Sequence, residues 1–481
     1  MTSMTSSSAR TVRPEAIALR GRRVHFIGIG GCGMSGLARM ARHFGAVCTG
    51  SDMAASAAVA SLRDEGFAVS LIQTADSLPD DCDLVVVSAA IKPDHPELAE
   101  ARRRGIRVLK YAQMLGELMI GRIGVAIAGT HGKSTTTSML SHTLIRAGLD
   151  PSFIVGATCE QIGGGSRTGR SGPGGILVAE ACEFDRSFHH LHPTHAVILN
   201  VEEDHMEIYG SLDAIVESFA IFARKLPADG SLLINHEMPH RLAITAGLDC
   251  PVETIGFAPQ ADWHVELIEP EDAGGAPLTR LSHRGSPVAQ WRTRVPGEHM
   301  AYNACAAAIT AHRLGASWED IATALADFRG LDRRMQLLGY KEIDGGTITI
   351  VDDYGHHPTE VDTTLRALRR HYQPRRLICV FQPHQHSRTR FLMEQFAASF
   401  SEADIVIVPH IYFVRDSEQE RHAVQAGDLV DRIRQKGRQA MHLYPFAAIV
   451  EQLQVITRPG DLVVTMGAGD VWKVAYDLLA V

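Results

Sequence analysis

The sequence predicts an α/β protein of three domains, each built around a mainly parallel β-sheet. Short apolar strands alternate with amphipathic helices along most of the chain, and two glycine-rich loops each stand between a strand and a helix. The length of 481 residues also suits several domains. We expect a disordered tail over 1–21 and domains over 22–121, 122–332 and 333–481.

The bulk composition excludes several classes of protein. A hydrophobic content of 45% and a net charge of −8 favour a globular chain and argue against a nucleic-acid partner. The eight cysteines form no C-x-x-C pair, so a reducing, cytoplasmic setting is expected. No apolar stretch approaches the roughly 20 residues of a membrane span, and the polar start lacks a signal-peptide core. We expect no membrane partner, and a monomer or weak homo-oligomer.

The first segment opens with "RRVHFIGIGG", a strand that enters a glycine loop, and continues with "MSGLARMARHFG", which has helical spacing. The strands "AVCTGSD", "DLVVVSAAI" and "IRVLK" follow, with the helix "ELAEARRRG" before the last of them. Because strands and helices alternate, the strands should lie parallel, joined by right-handed crossovers.

The second segment repeats this order with the strand "IGVAIAG", a loop and the helix "KSTTTSMLSHTLIRAG". "ILVAEA" and "HAVILNV" are predicted as buried strands, and Ser211 as the N-cap of a later helix. The glycine-rich stretch 163–175 is predicted as a mobile loop or hairpin tip whose role the sequence leaves open. The polar stretch 257–294 is predicted as β structure, and 329–339 as a hinge into a third alternating segment.

The first glycine loop has the pattern G-x-G-x-x-G at Gly28, Gly30 and Gly33. Glycines allow the backbone to approach a diphosphate, and the following helix supplies N–H groups and positive potential. Asp52 ends the next strand, where an acidic residue often binds a ribose hydroxyl. Taken alone, this Rossmann-like pattern indicates NAD, and a turn that binds nothing is the alternative.

The second loop, "AIAGTHGKSTTT", resembles a P-loop but has Ile127 where the first glycine usually stands. Gly129 and Gly132 remain, so backbone N–H groups can still surround a phosphate. Lys133 can neutralise a transferring phosphoryl group, and the Ser134 hydroxyl can bind Mg²⁺. The alternative is a strand–helix turn with an incidental lysine.

Further metal ligands are expected where buried strands end. Glu180 ends "ILVAEA", and Asp204 and His205 follow "HAVILNV". A carboxylate and an imidazole beside a phosphate can hold a second Mg²⁺. The alternatives are a capping or surface role for Glu180 and a hydrogen-bonded loop role for His205.

Six stretches together resemble the Mur ligases from about residue 22 to the C-terminus: "HFIGIGGCGMSGLA", "AGTHGKSTTT", "NVEEDHME", "FRGLDRRM", "DDYGHHPTEV" and "VFQPHQHSRTR". The resemblance implies a UDP-sugar-binding first domain, a P-loop ATPase-like central domain that binds ATP, and a Rossmann-like third domain that brings an amino acid. It implies that ATP phosphorylates the lactyl carboxylate of UDP-N-acetylmuramate and that L-alanine attacks the acyl phosphate. ADP and phosphate leave, and the product enters peptidoglycan synthesis.

The resemblance also implies which residues act. The UDP-sugar would contact Gly28, Gly30, Gly31, Gly33, Met34, Ser35, Asp52 and Ser88. ATP would contact Gly129, Thr130, His131, Gly132, Lys133, Ser134, Thr135, His299, Asn303, Arg334 and Asp353. Two Mg²⁺ ions would be held by Ser134, Glu180 and His205. The catalytic groups would be Lys133, Glu180, His205 and Arg388, with Arg388 binding the amino acid's carboxylate.

The chain departs from the family pattern at several positions. Ser134 replaces threonine, Met300 replaces asparagine beside the expected adenine contact, and Cys182 lies near the expected metal ligands. Gln385 replaces a common arginine near the amino-acid site, so glycine or L-serine stay possible acceptors. Another alternative is the recycling branch, which attaches a tripeptide. An NAD oxidoreductase or a non-catalytic nucleotide-binding regulator would leave one loop or the third domain without a role.

Overall fold

The computed structural model shows the three predicted sheets. The residues it describes are 15–170, 174–268, 270, 275–414 and 416–481. Most of the predicted disordered tail lies outside these residues, as do residues 171–173 of the glycine-rich stretch. In the part of the chain that is described, no helix is long and apolar enough to cross a membrane.

The first sheet has five parallel strands in the order β3-β2-β1-β4-β5. Its strands are β1 (Arg23–Ile27), β2 (Val47–Ser51), β3 (Ala68–Ser70), β4 (Leu84–Val87) and β5 (Arg107–Lys110). Its helices are α1 (Cys32–His43), α2 (Ala57–Asp64), α3 (Pro96–Arg103) and α4 (Tyr111–Met119). The order reverses beside β1, and such a reversal leaves a crevice at the carboxyl ends of the strands.

The middle sheet has ten strands, in the order β15-β14-β13-β12-β11-β10-β6-β9-β7-β8. They are β6 (Ile123–Ala128), β7 (Ser152–Ile154), β8 (Ser166–Arg167), β9 (Ile176–Ala181), β10 (His195–Ile198), β11 (Ser231–Asn235), β12 (Val252–Gly256), β13 (Trp263–Ile268), β14 (Leu278–His283) and β15 (Ser286–Arg292). Its helices are α5 (Lys133–Arg146), α6 (Met206–Tyr209), α7 (Leu212–Ala223), α8 (Arg241–Thr245), α9 (Glu298–Arg313) and α10 (Trp318–Asp327). Ser211 caps α7 as predicted, because its hydroxyl accepts from the Ala214 N–H at 3.2 Å.

The third sheet has six strands in the order β16-β17-β21-β18-β19-β20. They are β16 (Gln336–Ile343), β17 (Gly346–Asp353), β18 (Leu377–Phe381), β19 (Ile405–Val408), β20 (Gln439–His442) and β21 (Leu462–Met466). Its helices are α11 (Pro358–Tyr372), α12 (His386–Phe391), α13 (Met393–Ala398), α14 (Glu418–Ala423), α15 (Ala426–Gln435), α16 (Phe446–Ile456) and α17 (Trp472–Ala480). The end of the predicted hinge stretch therefore belongs to β16, which pairs antiparallel with β17.

The first two domains meet through glycines. A Cβ at Gly116 in α4 would lie 1.9 Å from the carbonyl oxygen of His190. A Cβ at Gly36 in α1 would lie 2.5 Å from the Cβ of Ser166 in β8. The described part of the glycine-rich stretch thus forms a short strand that packs on the helix after the first glycine loop.

A half-buried histidine in the middle sheet makes stability depend on pH. The Nδ1 of His195 hydrogen-bonds the Ser231 hydroxyl at 2.8 Å, and burial, with help from Arg313, lowers the pKa of His195 to about 4. An unfolded histidine has a pKa of about 6.5. Below that pH the unfolded chain binds a proton that His195 in the folded chain does not bind. Folded stability therefore falls between about pH 6.5 and 4.

We expect His195→Gln to lose less thermal stability than the parent when the pH drops from 7 to 4.5. Differential scanning calorimetry at several pH values measures this. His43→Gln, at an exposed position, is the control and should follow the parent. Parallel curves of Tm against pH for His195→Gln and the parent would contradict the assignment.

Candidate active site

The first glycine loop lies at the carboxyl edge of the first sheet. Gly28 has a φ of +79°, and its N–H donates to the Ser51 carbonyl at 2.9 Å. Asp52 accepts from the Gly30 N–H at 2.8 Å, so its carboxylate holds the loop itself. Ser88 follows the adjacent strand, and a Cβ on Gly28 would lie 3.1 Å from the Cβ of Ser88.

The other residues predicted for this loop stand at the start of α1. Gly31 is its N-cap, and Met34 and Ser35 are buried in its first turns. Gly33 packs against Tyr111, since a Cβ there would lie 2.8 Å from the tyrosine ring. All eight residues predicted for the UDP-sugar therefore lie along one edge of the sheet.

The second loop joins β6 to α5. Gly132 has a φ of +84°, which favours glycine, and it caps α5. The Thr130 and His131 N–H groups donate to Asn200, at 3.1 Å to its carbonyl and 2.7 Å to its side chain. The loop is thereby fixed to the end of β10.

Lys133 lies folded back over this loop. Its Nζ donates to the Gly129 carbonyl at 2.5 Å and to Glu183 Oε2 at 2.8 Å. Burial opposes the charge, but the Glu183 carboxylate outweighs it and raises the pKa of Lys133. The ammonium is therefore a fixed positive charge at the loop.

The predicted metal ligands separate into two groups. The Ser134 hydroxyl hydrogen-bonds Glu180, whose Oε1 also accepts from the Gly156 N–H at 2.5 Å. His205 instead joins Glu183 and Asp204, and one ligand atom from each of these three lies within 4.8 Å of the others. Burial raises the pKa of Glu180.

The third domain adds charged groups to the same place. Glu360 Oε1 lies 3.6 Å from Arg334 Nη1 and 3.2 Å from His131 Nδ1. Burial acts against the imidazolium, yet Glu360 and Glu202 raise the pKa of His131 to about 10. His356 lines this site too, and burial lowers its pKa to about 4.

Arg388 pairs with an acid of the middle domain. Its Nη2 donates to Asp204 Oδ1 at 2.7 Å, and its Nε donates to the same atom at 3.2 Å. Burial would raise the pKa of Asp204, but Arg388 outweighs it and lowers that pKa. This ion pair joins the third domain to the group of Glu183, Asp204 and His205.

Three cavities adjoin one another here. The largest, about 440 Å³, is lined by Lys133, Ser134, Glu180 and His205 among others. The second, about 330 Å³, shares Gly132 and Arg334 with it. The third, about 270 Å³, shares Asp204 and His205 with the largest and is lined by Arg388.

The second cavity contains the residues predicted for the adenine end of ATP. Thr135, His299, Asn303 and Asp353 all line it. Asp353 also accepts from the Met335 and Gly355 N–H groups, and burial raises its pKa to about 6.

The residues that depart from the family pattern fall in different places. Met300 lines the second cavity, and Cys182 lines the largest, where burial and Glu183 raise its pKa to about 11. Gln385 is buried, with a φ of +69°. It lines none of the three cavities, so the structure gives it no direct contact with them.

Three acidic residues of the site, Glu183, Glu202 and Glu360, were not predicted from the sequence. Glu183 lies three positions after Glu180, in a turn beyond the strand, and Glu360 lies in the first turn of α11. The signal was present, because both fall inside conspicuous polar motifs that follow buried strands.

Three family models match consecutive parts of the chain. "Mur ligase family, catalytic domain" matches residues 23–122, "Mur ligase middle domain" matches 127–311, and "Mur ligase, glutamate ligase domain" matches 333–469. Together they cover most of the sequence.

Individual proteins that are similar to this chain belong to the same family. The chain is 38% identical to UDP-N-acetylmuramate–L-alanine ligase of Caldanaerobacter subterraneus, over 95% of this chain and 97% of that one. It is 40% identical to the enzyme of the same name from Pelotomaculum thermopropionicum, with the same two coverages. A murein peptide ligase from Psychrobacter arcticus has a similar structure, with a TM-score of 0.67, 26% identity, and coverage of 96% and 98%. UDP-N-acetylmuramate–alanine ligase from Thermotoga maritima shares the fold at a TM-score of 0.75 and 24% identity, over 95% of this chain and 98% of that one. The chain belongs to the Mur ligase family.

Proposed function

We propose that this protein joins L-alanine to the lactyl carboxylate of UDP-N-acetylmuramate, with ATP converted to ADP and phosphate. The relatives at 38% and 40% identity carry the name of this activity over 95% of the chain. The reaction supplies a precursor of peptidoglycan and therefore supports wall growth and cell division.

One observation carries the proposal: the largest cavity, lined by Lys133 and His205, is continuous in its lining with the second cavity through Gly132 and with the third through His205. ATP and an amino acid can therefore meet at one place. The second cavity, with Phe257, Tyr302 and Asn303, suits a purine base. The largest suits the phosphates, since Lys133 and Arg334 line it. The third, between Arg388 and His205, suits a small amino acid.

The first glycine loop opens toward the same place. Cys32 Sγ contacts the Val155 carbonyl at 3.6 Å, and the next residue, Gly156, donates its N–H to Glu180. A UDP-sugar whose diphosphate lies on α1 can therefore extend its lactyl group toward Glu180 and Lys133.

The chemistry follows from charge and position. A free carboxylate is a poor electrophile, and transfer of a phosphoryl group from ATP gives it a leaving group. The alanine amine then attacks the acyl carbon, and collapse of the tetrahedral intermediate expels phosphate. Lys133 and Arg334 balance charge on the phosphoryl oxygens, while Arg388 and His205 border the amine's approach.

The donor set fits Mg²⁺. Ser134 and Glu180 offer one pair of oxygens, and Glu183, Asp204 and His205 offer a second group. Hard oxygen ligands with one imidazole suit this cation. When bound there, Mg²⁺ would neutralise phosphate charge, and we infer two such ions.

We also infer a cytoplasmic location and the domain bounds 22–121, 122–332 and 333–481. Support for the location comes from the eight cysteines, all free thiols in the described structure, which suits a reducing compartment. The bounds are supported by linkers that fall between the three sheets.

The test is ATP-dependent phosphate release by the purified protein with UDP-N-acetylmuramate and Mg²⁺. L-alanine, glycine, L-serine and the tripeptide are added one at a time. We expect release only when all substrates are present, with L-alanine preferred. Preference for glycine or serine would overturn the acceptor assignment, and turnover with tripeptide alone would identify a recycling ligase. A lack of turnover with every acceptor would overturn the proposed function.

A further inference from the structure

A chain of buried polar groups lies beneath the first glycine loop and is not used by the chemistry above. His25 in β1 is 1% exposed, and Ser51 at the end of β2 and Glu97 in α3 are each 0% exposed. The Ser51 hydroxyl donates to Glu97 Oε2 at 2.6 Å, and His25 Nε2 lies 3.4 Å from Glu97 Oε1. His25 Nδ1 meets the Thr49 hydroxyl at 2.8 Å.

A buried carboxylate such as that of Glu97 is unfavourable in the core of a small sheet. Removing a carboxylate from water is strongly unfavourable unless partners replace the lost hydration. Here the partners are one hydroxyl and one imidazole, with His95 Nδ1 3.9 Å away. An apolar residue in α3 would fill this space without that penalty, so stability alone does not explain Glu97.

Ser51 connects the buried chain to the glycine loop. Its carbonyl accepts the Gly28 N–H at 2.9 Å and the Ile29 N–H at 3.0 Å. Its hydroxyl binds Glu97 and also accepts from the Gln73 amide at 3.1 Å. The Glu97 carboxylate therefore holds Ser51, and Ser51 in turn holds the start of the loop.

The direction of loop N–H groups matters because the loop recognises an anion. A diphosphate on a glycine loop is held by backbone N–H groups, whose aim depends on the turn before the helix. If that turn can relax, binding must restore its shape, and the cost appears as weaker affinity.

We propose that Glu97 is a positioning residue for the UDP-sugar. It acts through the Ser51 hydroxyl to hold the Gly28–Gly33 loop in the conformation that binds the diphosphate. It touches neither substrate nor reacting atoms, so it affects loading of the UDP-sugar and leaves phosphoryl transfer unchanged. This inference rests on the proposed function of the first loop.

The test measures binding of UDP and of UDP-N-acetylmuramate by isothermal titration calorimetry, beside steady-state kinetics, for Glu97→Gln and Ser51→Ala. Glu97→Gln keeps the shape and removes the charge, and Ser51→Ala removes only the linking oxygen. We expect each variant to raise the Kd for both ligands, and the KM for UDP-N-acetylmuramate, by about tenfold. The kcat and the KM for ATP should stay close to those of the parent.

The double variant should bind UDP and UDP-N-acetylmuramate no more weakly than either single variant, because both changes break the same link. Glu100→Gln is the matched control, since Glu100 lies on the same helix and pairs outward with Arg103 and Arg104. It should leave the Kd unchanged. If Glu97→Gln fails to fold, Ser51→Ala carries the test.

Two results would overturn the inference. One is a lowered Tm in both variants with unchanged Kd for UDP, which would make the chain purely structural. The other is additive loss of affinity in the double variant. Failure of the parent protein to bind UDP-N-acetylmuramate at all would instead overturn the proposed function, so the two failures are distinguishable.

Discussion

Lys133→Ala abolishes ligation and leaves UDP-sugar binding intact; this is the largest effect that we expect from a single change. The ammonium is held against the Gly129 carbonyl and Glu183 inside the cavity assigned to the phosphates. Removing one fixed group that stabilises developing charge lowers kcat by about a thousandfold. The loss should appear in single-turnover phosphate release.

The control for Lys133→Ala is the affinity for UDP-N-acetylmuramate. Its loop belongs to the first sheet, so calorimetry should give the parent's Kd. A large loss of that affinity would contradict the assignment of two separate nucleotide sites. Lys133→Arg tests geometry, because a guanidinium keeps the charge but cannot occupy the same compact position.

Arg388→Ala is expected to have the second largest effect. The change leaves Asp204 buried without its guanidinium partner, and breaking such a pair typically costs about 3–5 kcal/mol. Because the pair joins two domains, we expect the loss to appear as weaker docking of the third domain. Ligation should fall at least about a hundredfold, with a raised KM for L-alanine.

Small-angle scattering checks the structural part of this prediction. With ATP and UDP-N-acetylmuramate bound, the parent should be more compact than Arg388→Ala. Arg421→Ala is the matched control, because Arg421 lies in the same domain, outside the three cavities, and pairs with Glu418 on the surface. It should change activity by less than about fivefold. Identical scattering and KM for Arg388→Ala and the parent would contradict the role of the pair.

Much of the site followed from one rule about sheets. Glu180 lies at the end of β9, and Lys133, Ser134 and His205 belong to the segments that follow β6 and β10. Parallel strands bring such ends to one edge of the sheet. All four line the largest cavity, although their roles stay predictions. The fold class is confirmed for the same reason, because the strand–helix alternation is strong in all three segments.

What sequence reasoning missed comes from contacts between domains. Glu360 reaches His131 across 229 positions of sequence, and Asp204 meets Arg388 across 184. A motif within one segment marks a polar loop but does not show which distant residue that loop meets. Glu183 was missed for another reason, since it lies in an irregular turn where no periodicity marks the direction of a side chain.

The contact between Gly36 and Ser166 has a consequence for how this protein can diverge. The two positions belong to different domains, and a methyl group at residue 36 would collide with the serine's own Cβ. Only a glycine at position 166 could make room for an alanine at position 36. Related sequences should therefore change these two positions together. A chimera that exchanges the first domain alone should fail to pack that domain on the middle one wherever the pair is mismatched.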